Sequence, residues 1–345
     1  MADLGPADAA TTLRYILLSR SFEVTVVTWH TLCIPILTLL FLYLSTFRLL
    51  WPFILPYIIS LFFFSGHESG TLPLRSNALR SSRVWNLFTT YFPATLHRSV
   101  PLPATRKYIF GYHPHGIIAH GAFLAFCTEA LNFAHLFPGL TSTLLTLDAN
   151  FRIPLYREYA LALGLAGVSS KSCRNLLRKG GPRDDGSGRA ITIVVGGARE
   201  SMIAAPKRMR LMVKDRKGFI KLALRTGTDL VPVLAFGEND LYSSVDTEKY
   251  PMVQKVQRIV KATTGWEMPL FFGQGIRNRS WGILPYRTPI DIVVGRPIEV
   301  NSKVEEPSGE EIDRVHELYL QELARIWEEW RGKFPATVGV ELELL

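Results

Sequence analysis

The chain has 345 residues, of which 48% are hydrophobic, and its formal net charge is +9. This length favours one large domain, or one domain with an appendage. The three cysteines, Cys33, Cys127 and Cys173, show no pairing pattern, which argues against a disulfide framework and favours a reducing compartment. The positive charge alone would suit either nucleic acid or an anionic membrane. The apolar N-terminal part of the chain decides for the membrane.

Two uncharged apolar runs, 24–47 and 49–66, flank the single charge of Arg48. A helix that rises 1.5 Å per residue needs roughly 20 residues to cross the ~30 Å hydrocarbon core. The first run is long enough, whereas the second is borderline and contains two prolines, which bend or break a helix. We therefore predict a membrane hairpin over 24–66 with its turn near Arg48. A buried core hairpin is the alternative, and a cleaved signal peptide fits poorly.

The flanks of the hairpin carry arginines, which predict its orientation. By the positive-inside rule, both ends of the hairpin and all the downstream chemistry face the cytosol. Arg48 would either snorkel to the far headgroups or mark a hairpin that enters only one leaflet. The sequence leaves both options open. The flanking arginines are Arg14, Arg20, Arg75, Arg80 and Arg83.

A histidine turn follows the first predicted strand of the soluble part. The apolar run 108–110 indicates a buried strand that stops at Gly111, and His113 and His115 come next. Gly116 lets the backbone approach a ligand, and a helix is expected from Ile117 onward. Imidazoles at a strand-to-helix junction, with a pKa close to working pH, are natural general bases.

The histidine turn has two alternative interpretations. The imidazoles could cap the helix, or they could begin a zinc site. Zinc needs further ligands at useful spacing, and His120 is available. Cys127 and Cys173 are isolated, however, and the chain has no His-x-x-x-His or Cys-x-x-Cys. We therefore expect no metal.

Beyond the turn, predicted strands alternate with helices, which indicates an α/β fold with a mixed sheet. Pro232 lies in the predicted strand 230–235 and so predicts an edge strand or a strand end. A capping box at Ser308 begins an amphipathic helix, whose apolar face carries Ile312, Val315, Tyr319, Leu323, Ile326 and Trp330. The other predicted strands are 143–147, 191–195 and 290–294, and the other predicted helices are 155–165, 172–179 and 219–225.

Three predicted strands end in glycine and are followed by polar residues. If these strands pair in one sheet, their ends bring His113 and His115 near Glu200 and Glu238. A carboxylate bonded to an imidazole fixes its tautomer and stabilises the imidazolium. A solvated loop acid or a helix-terminal charge is the alternative for Glu200.

The basic segment 207–221 is either a solvated face or a site for a phosphorylated cofactor or anionic headgroups. Aromatic residues are not interleaved in it as a single-strand nucleic-acid platform would require. The chain has no Gly-x-Ser-x-Gly elbow, so a serine nucleophile is disfavoured.

An ordered set of motifs between residues 90 and 330 carries a family resemblance. The chain closely resembles the type 2 diacylglycerol acyltransferase family, which includes monoacylglycerol and wax-alcohol acyltransferases. In the hairpin, Phe41, Leu42 and Leu44 resemble the family's neutral-lipid motif, with Arg48 in place of its usual final Asn. The motifs are Tyr91-Phe92-Pro93, His113-Pro114-His115-Gly116, Asn150-Phe151-Arg152, Arg157-Glu158-Tyr159, Gly196-Gly197-Ala198-Arg199-Glu200-Ser201, the run 216–223 and Phe236-Gly237-Glu238-Asn239.

The resemblance extends more distantly to glycerolipid acyltransferases that carry His-x4-Asp. It implies a glycerolipid-acyltransferase-like α/β fold, a mixed sheet flanked by helices with the N-terminal membrane hairpin. Ile118 and His120 stand where the Asp would follow His113 or His115, and Glu200 is the expected substitute. The implied domains are a cytosolic segment 1–23, the hairpin 24–66, a connector 67–106, a catalytic domain 107–335 and a C-terminal tail 336–345.

The resemblance implies transfer of an acyl group from acyl-CoA to diacylglycerol. His113 or His115 would be the general base, and N–H groups at the helix start after Gly116 would stabilise the oxyanion. No cofactor is needed beyond the co-substrate acyl-CoA. The alternatives are monoacylglycerol, a long-chain alcohol or another hydroxylated lipid as acceptor, a non-catalytic lipid-droplet or membrane scaffold, and a metal-dependent hydrolase that uses His113, His115 and His120.

The resemblance also implies where the protein acts and which residues bind substrate. The partners are the bilayer, acyl-CoA and a neutral-lipid alcohol, with no nucleic acid, and a homo-oligomer is left open. The location is the endoplasmic reticulum membrane, with lipid droplets as a second site. The substrate-binding residues implied are Gly116, Arg152, Gly197, Arg199, Ser201, Lys217, Lys221, Glu238 and Asn239.

Overall fold

The structure is a computed structural model that describes residues 6–180, 184–245, 250–264, 269–275 and 281–345. Short 3₁₀ turns lie at Arg48–Leu50, Asp148–Arg152 and Glu238–Leu241, and a π-helical turn lies at Phe123–Cys127. The helices are α1 Pro6–Ser45, α2 Trp51–Phe63, α3 Asn77–Arg80, α4 Val84–Tyr91, α5 His120–Ala122, α6 Phe133–Leu136, α7 Tyr156–Ala162, α8 Ser170–Arg178, α9 Gly197–Ser201, α10 Gly218–Thr226, α11 Pro251–Thr264 and α12 Gly309–Trp330. The strands are β1 Ala94–Arg98, β2 Tyr108–His113, β3 Thr141–Thr146, β4 Ala166–Gly167, β5 Arg189–Val194, β6 Met209–Leu211, β7 Asp229–Phe236, β8 Ser243–Ser244, β9 Phe271–Phe272, β10 Ile290–Val294 and β11 Leu342–Leu344.

A seven-stranded mixed sheet forms the centre of the fold, in the order β1-β10-β7-β2-β5-β3-β4. Strands β7, β2, β5, β3 and β4 run parallel, β10 is antiparallel to β7, and β1 is parallel to β10. Strand pairs β6–β11 and β8–β9 form two small separate sheets. The predicted fold class, a mixed sheet flanked by helices with an N-terminal apolar hairpin, is confirmed.

Each face of the sheet is covered by its own hydrophobic core, as the alternating side chains of β2 show. Phe110 and Tyr112 join the core beneath α1 and α4, where Phe88 is fully buried. Ile109 points to the opposite core, which contains Leu323 of α12. Both faces of β2 are therefore buried, as expected for a central strand of a parallel array.

The ends of two predicted elements differ from the sequence expectation. Strand β2 continues through Gly111 to His113, because Gly111 pairs with Pro232 of β7 and keeps the extended backbone. The helix begins at His120 rather than at Ile117. The histidine turn is therefore longer than the sequence predicts.

Pro232 is not at an edge of the sheet, so that prediction is wrong. It lies in β7, between β10 and β2. The β10 ladder ends at the pair Val294–Val233, and beyond it the N–H of Gly295 donates to the Pro232 carbonyl. Pro232 is tolerated because its missing N–H falls where the neighbouring ladder stops.

The segment 67–106, expected as a connector, contains helices α3 and α4 and the edge strand β1. The residues after 336 are also part of the fold, because β11 adds in parallel to β6. Ser308 caps this helix as predicted: its hydroxyl accepts from the Glu311 N–H at 3.1 Å.

The hairpin consists of α1, a turn over 46–50 and α2. Two stretches, Arg20–Ser45 and Arg48–Glu68, are long and apolar enough to cross a membrane. The first part of α1 packs on the domain, because Val27 and Leu37 are buried beside α4. The distal part exposes a continuous apolar surface. Its exposed residues include Leu39, Leu40, Leu42, Tyr43, Phe47, Leu49, Trp51, Phe53 and Leu55.

Candidate active site

The carboxyl ends of β2, β5, β7 and β3 lie along one edge of the sheet, because these four strands are parallel. The histidine turn follows β2, helix α9 follows β5, and the turn Glu238–Leu241 follows β7. Since β2 lies between β5 and β7, the structure brings the histidine turn between Glu200 and Glu238. The site is therefore built from three loops on adjacent strands.

His113 is fully buried at the end of β2. Its Nε2 lies 3.0 Å from the hydroxyl oxygen of Tyr319, and that hydroxyl donates to the Gly111 carbonyl at 3.1 Å. Because the only Tyr319 hydroxyl proton goes to Gly111, the oxygen must accept from an N–H on Nε2 of His113. Burial lowers the pKa of His113 to about 3, so the ring is neutral.

His115 is the partly exposed member of the pair. Its Nδ1 lies 3.1 Å from the Gly116 carbonyl oxygen, which can only accept a hydrogen bond. The proton of the neutral ring is therefore on Nδ1, and Nε2 carries the basic lone pair. Burial lowers the pKa of His115 below its ordinary value. A neutral imidazole whose basic nitrogen has no hydrogen-bond partner among the described residues is suited to proton abstraction.

Glu200 supports the histidine turn through the backbone. The buried carboxylate accepts the His115 N–H on Oε1 at 3.1 Å. Among the described residues, Oε2 has no hydrogen-bond partner. It lies where the β-carbon of any residue other than glycine at Gly196 would be, which explains that glycine. Burial raises the pKa of Glu200 to about 7. Glu200 thus holds the turn rather than an imidazole ring.

Glu238 is directed into the protein. Its carboxylate accepts from the Tyr112 hydroxyl at 2.6 Å and from the N–H groups of His120 and Gly121 at 2.8 and 2.9 Å. Burial raises its pKa to about 7. Glu238 therefore occupies the N–H groups of His120 and Gly121, so these two are not available to an oxyanion, and the role expected of the N–H groups after Gly116 stays a prediction. Gly116, at a positive φ of 62°, packs against the same side chain.

The glycine-rich loop after β5 and the basic segment meet beside the turn. Gly197 has a positive φ of 62° with open space where a side chain would be, and Arg199 is exposed. Arg216 donates to the Gly196 carbonyl at 3.3 Å, and Lys217 pairs with Asp313 at 2.7 Å.

The remaining predicted substrate-binding residues have different surroundings. Ser201 is buried and bonds the Ala198 carbonyl of its own helix. Asn239 donates to the Arg208 carbonyl at 2.7 Å, so it ties two loops together. Lys221 is exposed on α10 and Arg152 is exposed beyond β3.

The residues of the lipid motif lie near the end of α1. Leu42 is 56% exposed, Leu44 is half-buried, and the ring of Phe41 lies 6.0 Å from that of Tyr57. They belong to the apolar hairpin and lie outside the histidine turn.

The three histidines of the hydrolase alternative do not form one ligand set. His113 bonds Tyr319, His115 bonds its neighbouring carbonyl, and the Nε2 of His120 lies 2.8 Å from the Tyr242 hydroxyl. Each of the three rings therefore forms its hydrogen bond with a different partner.

A different group could hold a metal ion. The ligand atoms of His67, Glu68 and Asp148 lie within 4.8 Å of one another, and Glu68 pairs with Lys171 at 2.7 Å. A groove of about 360 Å³, lined by Asp240, Asp291 and residues 334–336, also lies apart from the histidine turn.

Sequence reasoning missed two tyrosines and a histidine that contact the histidines of this region. Tyr319 was assigned to the apolar face of its helix, and Tyr242 and His30 were not singled out. Tyr319 is 206 residues from His113 in sequence and Tyr242 is 122 from His120. No local pattern links residues that far apart.

Similarity to known proteins identifies the family of this chain. A family model described as diacylglycerol acyltransferase matches residues 41–345. The chain belongs to the diacylglycerol acyltransferase family. Among members of this family, the chain is 41% identical to diacylglycerol O-acyltransferase 1 of Schizosaccharomyces pombe, over 85% of this chain and 83% of that protein. It is 40% identical to diacylglycerol O-acyltransferase 2A of Umbelopsis ramanniana, over 99% of this chain and 94% of that protein.

A bovine relative of this member of the diacylglycerol acyltransferase family carries the name of a different acceptor. It is named 2-acylglycerol O-acyltransferase 1 and is 41% identical over 82% of this chain and 83% of its own length. Among solved structures, a 1-acyl-sn-glycerophosphate acyltransferase from Thermotoga maritima matches 87% of this chain and 98% of that chain. Its identity is 12% and its TM-score is 0.40. Family membership and the apolar hairpin together establish a membrane-associated protein.

Proposed function

We propose that this protein transfers a fatty acyl group from acyl-CoA to the free hydroxyl of diacylglycerol, with His115 as the general base. The observation that carries the proposal is the His115 ring at the sheet edge, partly exposed, with its proton held on Nδ1 by the Gly116 carbonyl. The family match and the names of the relatives supply the substrates.

In the proposed reaction, Nε2 of His115 takes the proton of the acceptor hydroxyl as its oxygen attacks the thioester carbonyl carbon. The C–S bond then breaks, and the CoA thiolate leaves and receives the proton from the imidazolium. An alcohol needs a base because it is a poor nucleophile. The thiolate is a good leaving group, so we propose no metal, no cofactor and no acyl-enzyme.

The basic side of the site is suited to the CoA phosphates. Arg199 and Lys221 are exposed, and Arg216 bonds the loop that follows β5. Guanidinium and ammonium groups pair with phosphate oxygens. We propose that these residues hold the CoA moiety, with the thioester directed toward His115.

We propose that the hairpin delivers a water-insoluble acceptor. Its contacts with the domain limit how deeply it can enter the bilayer. The Tyr57 hydroxyl donates to Glu158 at 2.5 Å, and Arg157 donates to the Ser60 carbonyl at 2.9 Å. These ionic groups stay outside the hydrocarbon, and only six residues of α2 precede Tyr57, about 9 Å of helix. Because the hydrocarbon core is ~30 Å thick, we propose that the hairpin enters one leaflet.

The orientation and location remain part of the proposal. By the positive-inside rule, the arginine-rich flanks support a cytosolic position for the domain. Within a cell, the endoplasmic reticulum membrane and the lipid-droplet surface suit a one-leaflet hairpin. Monoacylglycerol is the second candidate acceptor, favoured by the bovine 2-acylglycerol acyltransferase relative.

The test is acyl transfer by the purified protein in phospholipid nanodiscs. Radiolabelled oleoyl-CoA is supplied with dioleoylglycerol, monooleoylglycerol, hexadecanol or no acceptor. Triacylglycerol as the main product supports the proposal. Binding of lipid without any ester formed would leave the scaffold alternative, and activity that is lost on chelation would favour the metal-dependent alternative.

A further inference from the structure

Helix α1 contacts the catalytic domain through a layer of aromatic rings that contains polar groups. The His30 ring of α1 contacts the Phe123 ring at a tilt of 38°, with centroids 3.9 Å apart, and meets Phe88 edge-on at 5.1 Å. The His120 ring lies 5.2 Å from that of His30. On the domain side, Nε2 of His120 lies 2.8 Å from the Tyr242 hydroxyl.

Two ring nitrogens in this layer are buried without a partner among the described residues. They are Nδ1 of His30 and Nδ1 of His120, and the whole His120 side chain is fully buried. Burial lowers the pKa of His120 well below its ordinary value, so its ring is neutral. A buried polar group without a partner loses its hydration and gains no bond in return. A bound ligand is one explanation of such a group.

The position of the polar cluster formed by His30, His120 and Tyr242 indicates what that ligand is. His30 lies on the helix that continues into the bilayer, so a lipid that moves along α1 passes it. Glu238 connects the cluster to the histidine turn, because it bonds the His120 N–H at 2.8 Å and packs against Gly116. The cluster therefore lies between the membrane and the proposed base.

The chemistry of the layer matches the region of a glycerolipid where acyl chains join the glycerol. Phe88 and Phe123 place apolar rings against the His30 ring, which suits the neighbourhood of an acyl chain. When the Tyr242 hydroxyl donates to Nε2 of His120, the His120 proton is on Nδ1 and this nitrogen is an unpaired donor. An ester carbonyl accepts such a bond, whereas an ether oxygen is a much poorer acceptor and an alkyl chain offers none.

We propose that His30, His120 and Tyr242 form an acceptor subsite that binds an ester carbonyl of the glycerolipid and so selects acylglycerols over simple alcohols. This inference rests on the proposed function. It assigns to α1 a role in substrate selection in addition to anchoring.

The test compares two acceptors that differ only at the carbonyl groups: 1,2-dioleoylglycerol and its ether analogue 1,2-di-O-oleylglycerol, both assayed with oleoyl-CoA in nanodiscs. In the unmodified protein we expect the KM of the ester to be about tenfold lower, equivalent to about 1.4 kcal/mol. In His30→Phe, which keeps the ring packing, we expect the two KM values to converge. The KM for oleoyl-CoA should stay unchanged.

Two variants serve as controls for folding and for hydrogen bonding. His30→Gln restores a side-chain N–H and should recover part of the ester preference. Thr28→Val lies two residues away on the same helix, and its hydroxyl is already bonded to Val24, so it should behave as the unmodified protein. Equal KM values for both acceptors in the unmodified protein, or an equal shift of both in His30→Phe, would overturn the subsite.

Equilibrium binding of tritiated dioleoylglycerol and its ether analogue separates the subsite from the proposed reaction. Preferential binding of the ester that His30→Phe abolishes, in a protein that forms no triacylglycerol, would refute the proposed function and keep the subsite. Acyl transfer without any ester preference in binding would refute the subsite and keep the function.

Discussion

Replacing Glu200 tests how the histidine turn is held. The carboxylate accepts the His115 N–H at 3.1 Å, and within the described part of the chain it bonds no imidazole ring. Glu200→Ala leaves that N–H without its acceptor, at a cost of about 1–3 kcal/mol. If this cost falls on the transition state, kcat/KM drops about 5- to 150-fold. Glu200→Gln keeps an oxygen acceptor, so its kcat/KM should stay within about threefold of the unmodified protein.

The assay is triacylglycerol formation from oleoyl-CoA and dioleoylglycerol in nanodiscs, measured between pH 6 and 8.5. The pKa of Glu200 is raised to about 7, so its carboxyl group titrates within this range. Either protonation state accepts the N–H, and the Gln variant should therefore keep the pH profile of the unmodified protein. Equal loss of activity in the Ala and Gln variants would show that the negative charge is needed and would refute a purely positioning role.

Three further predictions concern stability. Burial raises the pKa of Glu238 from 4.5 to about 7. The stability that depends on protonated Glu238 is therefore fully present below about pH 4.5. It is lost as the pH rises through 7, which lowers the free energy of unfolding by about 3 kcal/mol. Glu238→Gln should flatten this dependence in thermal unfolding, and an unchanged slope would contradict it. Gly111→Ala places a methyl group against the Tyr319 hydroxyl and should cost about 1–3 kcal/mol in chemical denaturation, with partial rescue by Tyr319→Phe. Tyr57→Phe removes the bond to Glu158, so limited proteolysis should cut after α2 faster while sedimentation with membranes is unchanged; an unchanged rate of cleavage would refute the contact.

The position of the histidine turn was predictable because its determinants are local. Apolar runs that end in glycine predicted β2, β5 and β7, and parallel pairing brings their ends together. The motif order then indicated which loops meet. The same reasoning located His115 and Glu200 on neighbouring loops, and it predicted the amphipathic helix after Ser308.

The roles of individual side chains were less predictable, because they depend on contacts distant in sequence. Glu238 looked like a substrate ligand, but its carboxylate turns inward to a helix start. Tyr319 looked like a core residue, and it is one, but its hydroxyl also fixes the tautomer of His113. Pro232 suggested an edge strand, and only the register of β10 explains its central position.

The position of the hairpin also depends on contacts between residues that are distant in sequence. Its apolar length was evident from the sequence, whereas its docking on the domain was not. Glu23 of α1 pairs with Arg287 at 2.7 Å, and the Arg287 guanidinium lies 4.0 Å from the centre of the Tyr91 ring. Arg287 thereby joins the tyrosine of the Tyr-Phe-Pro motif, 196 residues earlier in the chain, to helix α1.

The choice of His115 as the base is tested most directly by kcat/KM for His115→Gln and His113→Gln in nanodiscs, with membrane sedimentation as the control for folding. A general base contributes about 10²- to 10⁴-fold. The geometry predicts a loss in this range for His115→Gln, together with loss of the low-pH limb of the profile, and a smaller loss for the sealed His113. His115→Gln activity within tenfold of the unmodified protein, with the low-pH limb intact, would contradict the mechanism.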